Sequence, residues 1–244
     1  PYLIMSRMDG DQLTESLDEQ ELKQENWDQI ATQLATYLKE LHKLTPLPTT
    51  KHFQKSFASF REFLSKQRRE VVSQHLKWAT LPLHLIRQLE AYLPKEEELE
   101  KLFVFNEPLF LHGDLNDENL LGKFREPPRT RGTRKKNATT AERSLKWKPT
   151  AIIDFGDALV GELTYEMVPL YFSLFRCNKS TMKKFLNTYG IPATHYQSKQ
   201  FVHSAMCFSL LHPCDAMKTA YMRRLELRKC KTLEDLAQKL WHFE

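Results

Sequence analysis

The feature of the sequence that most constrains the fold is a set of short apolar runs, each joined to polar residues at one end. Such runs predict short strands or strand-like turns that bring the polar side chains to their ends. Elsewhere apolar residues recur at steps of three and four, which is the period of a helix. The pattern therefore predicts a mostly helical α+β chain with a small β hairpin system. The apolar runs are Leu109-Phe110-Leu111 before His112-Gly113-Asp114, Leu120-Leu121 after Asn119, and Ala151-Ile152-Ile153 before Asp154.

The composition is that of a globular chain that does not enter a membrane. With 244 residues, 41% of them hydrophobic and 11% aromatic, the chain can fill a core. Charged residues interrupt every apolar stretch before the roughly 18 to 20 residues that a membrane-spanning helix needs. Four widely spaced cysteines without a C-x-x-C pair indicate reduced, buried thiols, and hence a cytoplasmic or nuclear protein.

The net charge of +5 comes from one segment. Residues 123 to 148 hold ten Lys or Arg and two Glu, a net charge of +8, so the rest of the chain carries −3. We predict that residues 124 to 148 are a basic, disordered insertion where a tight hairpin would suffice. The run Arg129 to Lys136 also fits a nuclear-import signal or a phosphate-binding arm, but its centre has no aromatic residue to stack on bases, so nucleic-acid binding is not favoured.

The helical period and its proline boundaries predict a series of helices on either side of the strands. Before the strands these are one long helix from Thr14 to Leu44, a helix through Phe53 to Leu64, and helices at Leu83 to Leu93 and Lys95 to Val104. After the strands they are Leu163 to Arg176, Thr181 to Tyr189, Phe201 to His212, Ala216 to Leu227 and Thr232 to Phe243.

The residues at the ends of the apolar runs are those that phosphoryl transfer from ATP requires. Asp114 is followed by Asn119 five residues later, and Asp154 comes directly after an apolar run. In such a set one carboxylate accepts the proton of the attacking hydroxyl, while an amide oxygen and a second carboxylate hold magnesium. The spacing therefore predicts a kinase-type site.

The same motifs resemble the aminoglycoside phosphotransferase and choline kinase superfamily, which has a protein-kinase-like fold and has HGD where protein kinases have HRD. The Leu-Asn-Asp after Asp114 and the Gly-Asp after Phe155 are most similar to the hydroxylysine-kinase branch and to kinase-like modules attached to JmjC-type oxygenases. Pro1 to Met5 with Asp9-Gly10 resembles the family's hinge, and Leu41-His42-Lys43-Leu44 resembles the end of one of its helices.

The resemblance implies a role for particular residues. Asp114 would be the catalytic base. His112, the second residue of the catalytic group, would be a strut that supports the catalytic loop. Asn119 and Asp154 would be the magnesium ligands. ATP and Mg²⁺ are the implied cofactors.

The resemblance also implies an adenine pocket. Ser6 and Met8 match the hinge whose backbone reads the base, and Leu121 and Ile153 match positions that floor the pocket. Glu162 stands where the family usually has Asp, which puts a helix cap in doubt.

Residues 1–8 would then be the hinge strand of an N-terminal lobe, and residues 9–244 the helical C-terminal lobe. No G-x-G-x-x-G or G-x-x-x-x-G-K-[ST] motif occurs in the sequence, so the N-terminal lobe is expected to be largely absent from this chain. Upstream domains of the same polypeptide are its expected partners, together with a small-molecule substrate.

Two functions follow from these expectations. The first is an ATP- and Mg-dependent phosphotransferase acting on a hydroxyl of a small, amine-bearing metabolite. The alternative is a catalytically degenerate kinase-like module of a larger protein, such as a JmjC oxygenase fusion, that acts in binding or regulation. Asp157 fits either a turn cap or a site for a substrate amine, while Asp117 and Glu118 are expected to be solvated loop acids.

Overall fold

A computed structural model of the chain describes residues 7–19, 22–105, 107–125 and 146–243. Helix α1 spans Leu13–Glu19 and helix α2 spans Gln24–His42. The prediction of one helix from Thr14 to Leu44 is therefore wrong in its continuity, because the structure has two helices over this range. Leu22 is buried and Lys23 has an extended backbone (φ −69°, ψ 157°), so the chain leaves the helical path before α2 begins.

The longest helix is α3, Lys51–Trp78, which extends well beyond the predicted Phe53 to Leu64. Thr50 caps it, since its side chain accepts a hydrogen bond from the Phe53 backbone N–H at 3.2 Å. The predicted helix at Leu83 to Leu93 is two short helices, α4 and α5, and the predicted helix at Lys95 to Val104 is a 3₁₀ helix. Their bounds are Leu83–Ile86, Leu89–Tyr92 and Glu96–Leu102.

Five short strands form two antiparallel sheets within the described residues. The order in the first sheet is β1-β3-β4, and β2 pairs with β5 in the second. The three predicted runs are confirmed as β2, β3 and β4, whereas β1 and β5 had no apolar run long enough to predict them. The bounds are Asp11–Gln12, Leu109–Leu111, Leu120–Arg125, Lys146–Ile152 and Leu159–Gly161.

Strands β3 and β4 form the hairpin that carries the basic insertion. Arg125 lies opposite Lys146, so both ends of the predicted 124–148 loop are paired strand, and residues 126–145 lie outside the described part. Trp147 is fully buried, packs on Gly122 and donates from Nε1 to the Ser16 hydroxyl at 3.0 Å. This tryptophan anchors the hairpin to α1 and is unavailable for stacking on a base.

The five helices predicted after the strands are all present, most of them shortened or continued in another helical form. Helix α6 runs directly into a π-helix, and α10 is followed by a 3₁₀ helix. Helix α9 is buried on nearly all sides and forms the centre of this half. The bounds are α6 Leu163–Pro169, π-helix Leu170–Leu174, α7 Lys179–Tyr189, α8 Ala193–Tyr196, α9 Lys199–Leu211, α10 Ala216–Arg223, 3₁₀ helix Leu225–Lys229 and α11 Leu233–Trp241.

Among the described residues, no helix combines the length and apolar character needed to span a bilayer.

Candidate active site

His112 joins the two sequence motifs. Its ring is fully buried; Nδ1 accepts from the Asp114 backbone N–H at 3.3 Å, so Nε2 carries the proton and donates to the Ile153 carbonyl oxygen at 2.8 Å. The ring therefore bonds to the backbone of both motifs, through Nδ1 to the motif of Asp114 and through Nε2 to the motif of Asp154. His112 holds the loop in place as a strut and does not line the cavity beside Asp114.

Asn119 connects the loop that carries Asp114 with the segment that leads from β4 to Asp154. Its Nδ2 donates to the Asp114 carbonyl oxygen at 2.8 Å and lies 3.3 Å from the Asp114 carboxylate. Its backbone oxygen accepts from the N–H of Ile153, which directly precedes Asp154, at 3.0 Å. The amide nitrogen is thus committed to Asp114, and the amide oxygen is the atom suited to bind a cation.

Asp154 has a backbone conformation that non-glycine residues rarely adopt. Its φ of 61° and ψ of 71° lie in the left-handed region, and its carboxylate accepts from the Gly156 N–H at 3.3 Å to cap a 3₁₀ turn at Phe155–Asp157. The Phe155 ring packs on His112 with centroids 4.6 Å apart. Strain of this kind persists where the surrounding structure imposes it, and it clusters at functional sites.

Gly113 allows the two motifs to touch. Its φ is +87°, and a Cβ at this position would collide with the Asp157 carbonyl group. Only glycine fits this close approach without strain. The backbone contact places the Asp114 loop directly beside the turn that follows Asp154.

The Asp114 carboxyl group is half-buried and accepts two 3.0 Å bonds from Asn116 Nδ2. Burial raises the pKa of Asp114, and the negative charge of Asp157 raises it further, although the bonds from Asn116 oppose both effects. A raised pKa makes a carboxylate a better proton acceptor, which suits a general base.

Two buried glutamates lie near this loop, and one of them, Glu166, bonds to it directly. Glu166 accepts from the Gly113 N–H at 3.1 Å, and Glu162 accepts from the Thr164 N–H at 2.6 Å and from the Phe105 N–H at 3.1 Å. Burial raises the pKa of each to about 7. Glu162 therefore keeps the helix cap that its departure from the family pattern had put in doubt. Sequence reasoning missed Glu166, although an acid inside an apolar helix was a signal.

Asp117 is a structural anchor, and the prediction that it is a solvated loop acid is wrong. Its carboxylate accepts from the Ser173 hydroxyl at 2.7 Å and from Arg176 Nη2 at 3.3 Å. The π-helix that follows α6 brings Ser173 to the loop, and the turn after the π-helix brings Arg176. Glu118 is exposed, as predicted.

A cavity of about 620 Å³ opens beside Asp114. Asp114 and Asp157 lie on one wall, and His52 and Lys55 of α3 contribute basic groups to another. Asp154, and not Asp157, caps the 3₁₀ turn. Asp157 is an exposed acid that lines the cavity. Apolar surface comes from Phe60, Phe63, Leu159 and Tyr165.

His212 and Cys214 also line this cavity. His212 Nδ1 accepts from the Cys214 N–H at 3.3 Å, and burial lowers the pKa of His212 to about 4, so the ring is neutral and carries its proton on Nε2. Nε2 has no hydrogen-bond partner among the described residues. The cysteines are all free thiols; Cys214 is exposed, so the prediction of four buried thiols is wrong at this position.

The predicted adenine-pocket residues lie on and beside the β3–β4 hairpin. Leu121 lies opposite Ala151 in the hairpin. Ile153 comes two residues after Ala151, so Leu121 and Ile153 are diagonal neighbours on one face of the hairpin. Leu121 is buried and Ile153 half-buried. Met8 is 47% exposed, and Ser6 lies outside the described residues.

No group of three or more His, Cys, Asp and Glu side chains in the described ranges has the geometry to hold a metal alone. The donors whose chemistry suits Mg²⁺ are instead the amide oxygen of Asn119 and the carboxylate of Asp154. Mg²⁺ is commonly bound by one or two protein ligands together with substrate phosphates. The residues present fit a magnesium ion that arrives with a nucleotide.

The family model described as "Phosphotransferase enzyme family" matches residues 1–132, which is more than half of the chain. The chain therefore belongs to the phosphotransferase enzyme family, and the resemblance seen in the motifs is confirmed.

Solved structures of this family have the same fold. The chain aligns with aminoglycoside phosphotransferase APH(2'')-Ib, ADP-bound, at a TM-score of 0.50 and 18% identity, covering 95% of this chain and 71% of that one. It aligns with the streptomycin–ATP–APH(2'')-IIa ternary complex at a TM-score of 0.50 and 17% identity, covering 95% and 70%. The described residues are thus the C-terminal lobe of a protein-kinase-like fold.

A curated relative is the lysine-specific demethylase JMJ21 of Arabidopsis thaliana. It is 22% identical over 280 residues, an alignment that covers 99% of this chain and 28% of the relative. The chain therefore spans little more than a quarter of that protein.

Proposed function

We propose that this chain is the acceptor-binding and catalytic lobe of an ATP- and Mg-dependent phosphotransferase, which transfers the γ-phosphate to a hydroxyl of a small, amine-bearing metabolite. The observation that carries the proposal is the convergence of Asp114, Asn119 and Asp154 through the bonds of His112 and Asn119. One Asp as proton acceptor, with an Asn and a second Asp as magnesium ligands, is the residue set that phosphoryl transfer requires.

In this proposal Asp114 accepts the proton of the attacking hydroxyl. Its raised pKa favours that transfer, and the bonds from Asn116 and Asn119 fix the orientation of its carboxylate. His112 and Glu166 hold the loop backbone, so the carboxylate stays in place during the reaction.

Asn119 and Asp154 would hold magnesium, which when bound neutralises phosphate charge. Leu121, Ile153 and Met8, with Ser6, would form the adenine pocket. The solved relatives in complex with ADP and with ATP support the choice of nucleotide.

The cavity beside Asp114 would bind the acceptor. Asp157, exposed and next to Asp114, supplies a negative charge for an amine, and the aromatic side chains bury the rest of the molecule. The neutral His212 has an Nε2–H to donate, which suits an oxygen atom of the acceptor.

The direct test is an ADP-release assay on the full-length protein with ATP, Mg²⁺ and a panel of hydroxy-amines that includes choline, ethanolamine, 5-hydroxylysine and kanamycin. We expect turnover with at least one acceptor, and Asp114→Asn should lower kcat by a factor on the order of a hundred or more with little change in melting temperature. Glu118→Gln, which changes an exposed acid of the same loop, is the matched control and should retain the rate. An unchanged rate in Asp114→Asn contradicts the assignment.

The second candidate is a kinase-like module without turnover, which binds nucleotide weakly or not at all within a larger protein. The coverage of only 28% of the demethylase relative favours a position inside a longer polypeptide. Thermal-shift titrations with ATP, GTP and Mg²⁺ separate the candidates. A shift that needs Mg²⁺ and is lost in Asp154→Ala, with no ADP release for any acceptor, would favour the module.

A further inference from the structure

The cavity beside Asp114 is lined by charged groups of both signs. Asp114 and Asp157 supply the acids, while Lys55 and His52 of α3 supply basic groups. Within residues 7–19, 22–105, 107–125 and 146–243, the Lys55 ammonium forms neither an ion pair nor a hydrogen bond, and the same is true of the Asp157 carboxylate. Neither charge is therefore neutralised by an ion partner in that part of the chain.

The two acids of the cavity are not equally available to a ligand. The Asp114 carboxylate accepts hydrogen bonds from the side-chain amides of Asn116 and Asn119, and it serves as the proton acceptor in the proposed reaction. Asp157 is exposed and has no such bonds, so it is the acid that a cationic group of a ligand can pair with.

The position of Lys55 relative to Asp157 is set by the fold. Lys55 and Ser59 are four residues apart, so they share one face of α3, and both line the cavity. The Ser56 hydroxyl oxygen accepts from the Val160 N–H at 2.9 Å and so attaches α3 to β5. Val160 comes three residues after Asp157, so this bond holds the lysine and the acid on the same cavity.

Opposite charges that line one cavity without pairing with each other suit a ligand that carries both signs. A ligand with a single charge can pair with only one of the two groups. A zwitterion pairs with both, and charge-assisted hydrogen bonds are stronger than neutral ones. The side chains of Phe60, Phe63 and Tyr165 add apolar surface for the carbon chain of such a ligand.

We propose that the acceptor is a hydroxy amino acid, whose ammonium group pairs with Asp157 and whose carboxylate pairs with Lys55, and that Lys55 is the residue that selects it. The exposed Ser59 hydroxyl is a second donor to the carboxylate. The inference rests on the proposed function, because that function assigns this cavity to the acceptor. It narrows the amine-bearing metabolite to a zwitterion.

The test compares acceptors that differ only by a carboxyl group. L-Serine, L-homoserine and 5-hydroxy-L-norvaline are each paired with the same molecule without that group, namely ethanolamine, 3-amino-1-propanol and 4-amino-1-butanol. ADP release by the full-length protein with ATP and Mg²⁺ gives kcat and KM for each acceptor. We expect at least one amino acid to have a kcat/KM about tenfold or more above that of its partner.

Variants assign this preference to individual residues. Lys55→Gln should raise the KM of that amino acid about tenfold, because the bond to the carboxylate is lost, while kcat and the KM of the partner molecule change less than about twofold. Lys55→Arg should restore most of the affinity. Asp157→Asn should raise the KM of both members of the pair. Lys51→Gln removes an exposed cation of the same helix that does not line the cavity, and it should leave all the constants as in the wild type.

The failure of this inference can be told apart from the failure of the proposed function. A kcat/KM that is equal or lower for the amino acid in every pair, or an equal effect of Lys55→Gln and Lys51→Gln, overturns the inference and leaves the phosphotransferase assignment in place. Absence of ADP release with every acceptor contradicts the phosphotransferase assignment, and saturation-transfer NMR of the same pairs then tests the cavity by binding. Binding that requires the carboxyl group and is lost in Lys55→Gln supports the zwitterion site, and absence of binding by every amino acid overturns it.

Discussion

The backbone next to Asp114 donates a hydrogen bond to a buried carboxyl group. Glu166 bonds to the Gly113 N–H and is enclosed by the apolar residues of α6, and burial raises its pKa to about 7. A carboxyl group in this position binds its proton more tightly in the folded chain than in the unfolded one. The protonation state of Glu166 therefore makes the stability of the Asp114 loop depend on pH.

The first residue-scale prediction concerns Glu166→Gln. The folded pKa of Glu166, about 7, lies above the ordinary value of 4.5, so its contribution to stability is full below pH 4.5 and is lost as the pH rises through 7. A glutamine does not titrate and can still accept from Gly113. The stability of the variant relative to wild type should rise across this window, by on the order of 3 kcal/mol, and stay level above pH 8.

Thermal melts of both proteins between pH 4.5 and 8.5 check this expectation. The comparison with wild type cancels the opposing effect of the buried histidines His42 and His212, whose pKa values are lowered to about 4. A difference between Glu166→Gln and wild type that is constant over the range would contradict the buried, proton-binding role.

At the scale of elements, the loop that carries Asp114 is connected to neighbouring helices through Asp117. This side chain contacts Ser173 of the π-helix and Arg176, and the Asp117 carbonyl oxygen accepts from the Thr14 N–H at 3.3 Å. Arg176 and the next residue, Cys177, both have positive φ, at 51° and 60°. The turn at Arg176 and Cys177 is thus strained, and it holds the Arg176 guanidinium where it donates to the Asp117 carboxylate.

Asp117→Asn should weaken this connection. The amide oxygen can still accept from Ser173, but the ion pair with Arg176 is lost, which leaves a partly buried guanidinium without its charge partner. We expect a loss of about 1 to 2 kcal/mol in the free energy of unfolding, together with a lower kcat. Urea unfolding measures the first quantity and the ADP-release assay the second. If Asp117→Asn and the exposed Glu118→Gln behave alike in both, the anchor is not functional.

At the scale of the whole molecule, the basic insertion is joined to the folded body at two paired strand ends. The β3–β4 hairpin keeps its register up to Arg125 and Lys146, and Trp147 anchors it in the core. Residues 126–145 hold six Lys or Arg and two Glu, a net charge of +4, so most of the formal charge of the chain lies between two paired strand ends.

Replacing residues 126–145 by Asn-Gly, a sequence suited to a two-residue hairpin turn, should leave the fold intact. We expect a melting temperature within about 4 °C of the wild type, because a shorter loop costs less entropy to close and no described core residue is removed. Phosphotransferase activity should persist. Any salt-dependent binding to RNA or DNA by the parent chain should disappear, and its survival would place that binding on the folded body. A large loss of stability would show that the insertion packs on the core.

The sequence by itself determined the kinase-type motif, the three strands that carry it and most of the helices, because these depend on local spacing. Asp114 and Asn119 are five residues apart, and the ends of β2, β3 and β4 follow from apolar runs with polar boundaries. The tertiary structure alone decided which other side chains support the site. Glu166 reaches Gly113 across 53 residues and Ser173 reaches Asp117 across 56, while His212 joins the cavity from α9's end. Hydrogen-bond partners and raised or lowered pKa values arise only when distant segments pack together, and local spacing does not identify those partners.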